Sequence, residues 1–195
     1  MNRKFTVTDI VLMALLAAAN GVLTYYLAFI NKTLTAVGGP ILTSTITGLY
    51  MLYGLLAIYI IRKPGAAMIT YFIGAAIQIL TGIAYGAPSA LIAAACYAAF
   101  VELVFALFRY ARWDAFAVSL AALCAVPLWF LCAAYLYGYL EWGLPILLAA
   151  FVVRCLSGIA LGGLAAKWLG DRLAAAGLLR FFPAGEGGQG RDAAP

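Results

Sequence analysis

Between short breaks of charge, glycine and proline, this chain is written in apolar runs of about 20 residues, long enough as helix to cross a hydrocarbon core about 30 Å thick. Nothing constrains its fold more. Lipid offers no partner to backbone N–H and C=O groups, so a spanning segment must be a helix or a strand of a closed barrel. The runs are continuous rather than alternating, which selects helices. Composition agrees: 67% of the 195 residues are hydrophobic and 10% charged, against roughly 45–50% and about 25% in soluble domains. The expected class is all-α, a polytopic membrane protein.

Six spans can be marked. They run from Val7 to Ile30, Ile41 to Ile61, Ala66 to Ile83, Ser89 to Phe108, Ala115 to Tyr137, and Leu144 to about Leu169, the last continuing as an amphipathic turn through Asp171 and Arg172. The breaks are Asn31 to Pro40, Arg62 to Gly65, Ala84 to Pro88, Arg109 to Asp114 and Gly138 to Gly143. This predicts one six-helix membrane domain over residues 1–182 and a disordered, glycine-rich polar tail over 183–195. Arg3 and Lys4 ahead of an apolar stretch resemble a signal peptide, but Thr6, Thr8 and Asp9 stand where its apolar region should begin. A retained first helix is the better reading.

The net charge of +5 is not a nucleic-acid footprint, because the basic residues fall in pairs between spans rather than on one solvated face. They read as topology signals. Arg3 and Lys4, Arg62 and Lys63, Arg109 and Arg112, and Lys167, Arg172 and Arg180 all fall on one side of the expected bundle. The other side carries only Lys32 and Glu141. By the positive-inside rule both termini are expected in the cytoplasm of a cell-membrane protein. Tyr85, Tyr135, Tyr137, Tyr139 and Trp142 gather at the outer ends, as an interfacial belt would. Cys96, Cys124, Cys132 and Cys155 lie inside apolar runs without CxxC spacing and without histidine, so they read as small hydrophobes.

Two ionisable residues fall deep inside spans, Glu102 and Arg154. A charge at that depth costs about 2.5–3.5 kcal/mol, and similar distances from the outer helix ends suggest an ion pair, either structural or beside a substrate cavity. In the third span Tyr71, Gly74, Ala75 and Gln78 share a face, readable as a pocket wall or as a packing seam joined by an amide. The second span carries Thr43, Ser44, Thr45, Thr47, Tyr50 and Tyr53, a density of hydroxyls that suggests a cavity open to the outside. Ala14 with Ala18, and Ala17 with Gly21, give the first span small-residue surfaces for close helix approach; Gly158, Gly162 and Gly163 do the same in the sixth. No Walker sequence, nucleophile elbow or paired carboxylate is present, so neither hydrolysis nor ATP use has a centre in this chain, and no catalytic residue, cofactor or metal is expected.

Tyr59 to Ala67 (with Arg-Lys-Pro-Gly-Ala-Ala), Val101 to Phe105 ahead of Arg112-Trp113, Val153 to Gly158, and Thr8 to Met13 resemble the YkoE-type S components of energy-coupling factor (ECF) transporters. The resemblance runs from about residue 5 to about residue 178. It implies a six-helix substrate-binding subunit that captures a vitamin precursor, thiamine or hydroxymethylpyrimidine, while a separate transmembrane coupling subunit and ATPase subunits drive uptake. It also places Ala14 and Ala18 at the coupling-subunit contact. The site is expected under the Asn31 to Pro40 loop, lined by Tyr71 and Gln78, with Ser44 and Tyr97, and with Glu102 nearest the ligand and paired to Arg154. Carboxylates expected from the family are replaced by Ser44, Tyr71 and Gln78, which points to a more neutral heterocycle or to a cation held mainly by aromatic faces. The other reading is a structural membrane subunit whose small-residue faces only hold a complex together.

Overall fold

The computed structural model describes residues 4–82 and 86–185; Arg3, Tyr85 and the tail beyond Gly185 lie outside the described residues. Helix α1 is Val7–Ser44, α2 Thr47–Ile61, α3 Ala66–Leu80, α4 Ala87–Leu107 and α5 Ala115–Leu136. After a 3-10 turn at Tyr139–Trp142 come α6, Leu144–Ser157, a π-helical stretch at Gly158–Leu164, and α7, Ala165–Ala175. The last three form one rod of 32 residues, so the bundle has six rods.

Local chemistry fixes the ends. Thr6 and Asp9 form a capping box at the start of α1: the Thr6 N–H donates to Asp9 Oδ2 at 2.8 Å and the Asp9 N–H to Thr6 Oγ1 at 3.3 Å. The stretch from Asn31 to Pro40, expected as a loop, is largely helical. Lys32, Thr33 and Thr35 do not break it, because the two threonine hydroxyls donate to carbonyls four residues back on the same helix. The break is confined to Gly38 and Gly39. Gly39 has φ +56°, and a Cβ there would lie 2.9 Å from the Trp142 ring.

Five rods form a ring: α1 packs on α3, α3 on α4, α4 on α5, α5 on the π stretch, and α6 closes back on α1, all around α2. Twelve of the 15 residues of α2 are buried, which explains why its sequence is apolar all round rather than striped. The outer rods turn Leu15, Val22, Phe29, Leu107, Leu131 and Leu156 outward, an apolar surface that only lipid can cover. On its inner side α1 buries Met13, Ala17, Asn20, Gly21, Thr24 and Leu27, the helical spacing of a core face. Gly21 sits against Ile77 of α3, so the Ala17 and Gly21 pair is internal packing, while Ala14 and Ala18 are exposed.

The contact of α2 with the sixth rod is backbone on backbone. A Cβ on Gly48 would lie 2.2 Å from the Ser157 carbonyl oxygen and 2.8 Å from the Gly162 nitrogen. The Gly48 N–H donates to Ser157 Oγ at 3.0 Å, and that hydroxyl donates onward to the Thr45 carbonyl at 2.7 Å. Gly158 and Gly163 lie against Val126 and the Ser119 backbone of α5. The glycines of this stretch therefore let three rods close on one another. Beyond α7 the chain folds back, and Leu179, Phe182 and Ala184 join the core, so packing continues past residue 182 as far as the described chain goes.

Glu102 corrects the expected ion pair. Its carboxylate accepts from the N–H groups of Gly65, Ala67 and Met68 at 3.1, 3.0 and 3.3 Å, and from the Tyr110 hydroxyl at 2.8 Å. It caps the first turn of α3, where helix amides have no partner of their own and the macrodipole favours an anion. No pair forms because Glu102 is held on the α3 cap and α4 and α6 are not neighbours in the ring, α5 standing between them. Among the described residues the ion pairs are Lys63–Asp9, Arg112–Asp114 and Lys167–Asp171.

Glu102→Leu should therefore cost at least about 2 kcal/mol, since it strands several buried N–H groups at once. Glu102→Gln, which keeps one acceptor oxygen, should cost less; unfolding midpoints in detergent give the comparison. Gly48→Ala should lower stability by about 1–3 kcal/mol, because the atoms in its way are main chain and cannot rotate aside.

Candidate functional site: a cavity over the short central helix

At about 1.5 Å per residue, a 15-residue α2 is about 22 Å long, and it leaves the axis of the bundle unfilled at one end. A cavity of about 730 Å³, mouth included, occupies that space. It lies at the end away from the basic turns. Thr43, Thr47, Tyr50 and Tyr53 supply its floor from the end of α1 and the first half of α2. Ala90, Ala93 and Ala94 on α4 and Ala133 on α5 make the room; their spacing along α4 keeps one face small.

The polar and aromatic groups come from every rod of the ring. Thr24 and Asn31 reach in from α1, Gln78 from α3, Ser89 and Tyr97 from α4, Trp129 and Tyr137 from α5, Tyr139 from the 3-10 turn, and Arg154 from α6. Ser89 and Tyr137 are hydrogen-bonded to each other across α4 and α5. The aromatic rings form a chain. Tyr53 meets Tyr71 edge-on at 5.1 Å between centroids, Tyr71 lies 5.7 Å from Tyr97, and Tyr97 lies 6.2 Å from Trp129. Two glycines give the first pair its seats. A Cβ at Gly54 would lie 2.3 Å from the Tyr71 ring and one at Gly74 2.4 Å from the Tyr53 hydroxyl oxygen.

Of the expected site residues, Gln78 and Tyr97 are on the cavity wall and three are not. Tyr71 is fully buried one layer beneath, its hydroxyl donating to the Met51 carbonyl at 2.7 Å, so it supports Tyr53 and Tyr97 rather than facing the cavity. Ser44 is fully buried and its hydroxyl donates to the Pro40 carbonyl at 2.7 Å, the self-satisfaction open to any helical serine. Glu102 sits at the far end of α4 on the α3 cap. The segment expected to cover the mouth as a loop is instead the extension of α1 that carries Asn31.

Residues absent from the sequence reading as site members are Trp129, Tyr137, Tyr139, Ser89 and Thr24. Trp129 had a signal, since an indole in the middle of a span needs a partner or a cavity for its N–H. Tyr137 and Tyr139 were indistinguishable from an interfacial belt. Arg154 is 4% exposed, and its guanidinium carbon lies 5.1 Å from the Phe130 ring centroid and 5.9 Å from that of Tyr139. Among the described residues no three His, Cys, Asp or Glu side chains come together as a metal site. The arrangement can hold a flat ring among aromatics and small residues; it offers no group for bond-making chemistry.

Comparison with known proteins agrees with this geometry. Residues 8–128 match the family described as "ABC-type cobalt transport system, permease component". The YkoE protein of Bacillus subtilis (strain 168), provisionally named an HMP/thiamine permease protein, is 28% identical over 184 residues, which cover 94% of this chain and 92% of that one. A solved S component of an ECF transporter superposes with a TM-score of 0.90 at 27% identity, over 97% of this chain and 95% of its own. A bundle with a binding cavity and no catalytic centre is what such a subunit requires, and with the match across most of its length the chain belongs to this family of transport-system permease components, as a YkoE-type, non-enzymatic S component of an ECF transporter.

Proposed function

We propose that this S component takes up a vitamin precursor of the thiamine and hydroxymethylpyrimidine group, captured from outside the cell in the cavity over α2. The observation that carries the reading is the cavity itself, walled by Tyr53, Tyr97, Trp129, Tyr137 and Tyr139 and open at the end poor in charge. The name of the Bacillus relative supports the substrate group. Among the described residues no carboxylate stands on the wall, so a pyrimidine without a positive charge fits better than the cationic thiazolium, which would seek acidic partners.

The basic turns set the orientation. Lys4, Lys63 and Asp9 are joined at one end of the bundle, and Arg62 stacks between Tyr59 and Trp113 at 5.6 and 5.5 Å. With Arg109, Arg112 and Arg172 they support a reading in which that end, and both termini, face the cytoplasm of a cell membrane. The ATP-driven step belongs to partner subunits. Their transmembrane coupling subunit would seat on the exposed small-residue surface of Ala14 and Ala18, close to the cytoplasmic end of α1.

Purified protein without ATP should bind hydroxymethylpyrimidine or thiamine in calorimetry, and Trp129→Ala should weaken binding about tenfold, a loss of about 1.4 kcal/mol. Gln78→Leu should weaken it less. Absence of heat with either compound would reject the substrate assignment. Ala14→Trp should leave binding intact while abolishing co-purification with the coupling subunit; retained assembly would reject the proposed contact.

A further inference from the structure

Arg154 poses a problem that the folded chain leaves open. Its guanidinium is buried, yet Nε and Nη1 have no hydrogen-bond partner among the described residues. Phe130 and Tyr139 present ring faces that offset part of the charge, but a ring face gives no acceptor to N–H groups lying in the guanidinium plane. Among the described residues no acid pairs with it. Glu102 caps α3, Asp9 and Asp171 pair with lysines, and Asp114 pairs with Arg112. Glu141 is exposed on the 3-10 turn and forms none of the ion pairs. On the α1 wall, Thr24 Oγ1 is buried without a partner as well.

A buried cation left unpaired is strongly unfavourable, and the usual remedy is an acceptor of opposite charge with matching geometry. We propose that the ligand supplies it: the cavity takes an aromatic heterocycle bearing an anionic oxygen group, carboxylate or phosphate, which the Arg154 guanidinium grips. The planar fork of a guanidinium suits both groups in two-point contact. Aromatic walls hold the ring and Arg154 fixes which way it faces. A neutral acceptor would satisfy the N–H groups and leave the charge; a cationic ligand would add to it. The inference rests on the reading of this cavity as the substrate site and narrows the class of substrate within it.

The test uses ring-matched probes on purified full-length protein: hydroxymethylpyrimidine, its monophosphate, the corresponding pyrimidine carboxylate, and thiamine. One or both acids should bind at least about tenfold more tightly than the neutral alcohol, with thiamine weakest, and the tighter acid identifies the group. Arg154→Gln should cost the acids at least about tenfold while changing the alcohol by less than about threefold. Thiamine binding as tightly as the acids, or Arg154→Gln weakening all four alike, would overturn the proposal. A second measurement needs no ligand. If Arg154 is kept for a ligand, Arg154→Met should unfold at or above the wild-type midpoint, whereas a drop of several degrees would show that Arg154 serves the fold and would overturn the assignment. Should none of the four probes bind, the pyrimidine reading fails and the midpoint alone decides the role of Arg154.

Discussion

The rest of the structure depends on a length mismatch at its centre. In a bilayer every spanning backbone must satisfy itself, and a helix on the axis, shielded by five others, is released from the need to reach both surfaces. Helix α2 uses that freedom: its 15 residues stop short, and the ring of longer rods encloses what it leaves. A pocket made this way does not depend on any one side chain being small. The alanines of α4 tune its width, while its existence follows from where α2 begins. The glycine contacts fix that start. Gly48 locks the first turn of α2 to Ser157 at main-chain distance, so α2 cannot slide along the axis to close the space.

The two buried charges show how differently one bundle can treat an ionised group. Glu102 is surrounded by donors that exist because a helix starts there: three amides and a tyrosine hydroxyl complete its coordination. That arrangement ties α4 to α3 at the basic end and is finished without any ligand. Arg154 is the opposite case. Its surroundings supply ring faces and apolar contact, and the acceptors are missing. Saturated at one end and unsaturated at the other, the bundle has a rigid half and a receptive half.

Much of this was legible in the sequence, for physical reasons. Spans and basic turns leave one-dimensional signals, because bilayer thickness and charge insertion act on consecutive residues. What sequence could not supply was partnership. Glu102 and Arg154 looked like a pair because both were charges lacking a visible mate, and the mates of Glu102 are backbone amides that no residue letter reveals. Tyr71 and Ser44 were marked by polarity, but a hydroxyl that bonds a carbonyl of a packed neighbour or of its own turn looks the same in sequence as one that faces a ligand. The Asn31 to Pro40 stretch was misread because Lys32 and its polar neighbours resemble a break, while Thr33 and Thr35 bond back to the helix. Only Gly38 and Gly39 interrupt it.

Helix α1 shows how one rod can serve two surfaces. Its inward face runs Met13, Ala17, Asn20, Thr24 and on to Asn31, the last two reaching the cavity. Ala14 and Ala18 point outward from the same helix nearer its amino-terminal end. From Ala18 to Thr24 is six residues, about 9 Å of helix rise, so the proposed coupling contact and the pocket wall are adjacent parts of one element. Between them Asn20 lies buried with both amide atoms unpartnered, one turn below Thr24. An unsatisfied amide on a packing face is held there at a cost, and that cost falls if the neighbouring rods shift to offer it a partner or water. That unsatisfied amide lies between the pocket wall and the proposed coupling contact, and away from the Glu102 cap that holds α3 and α4 together.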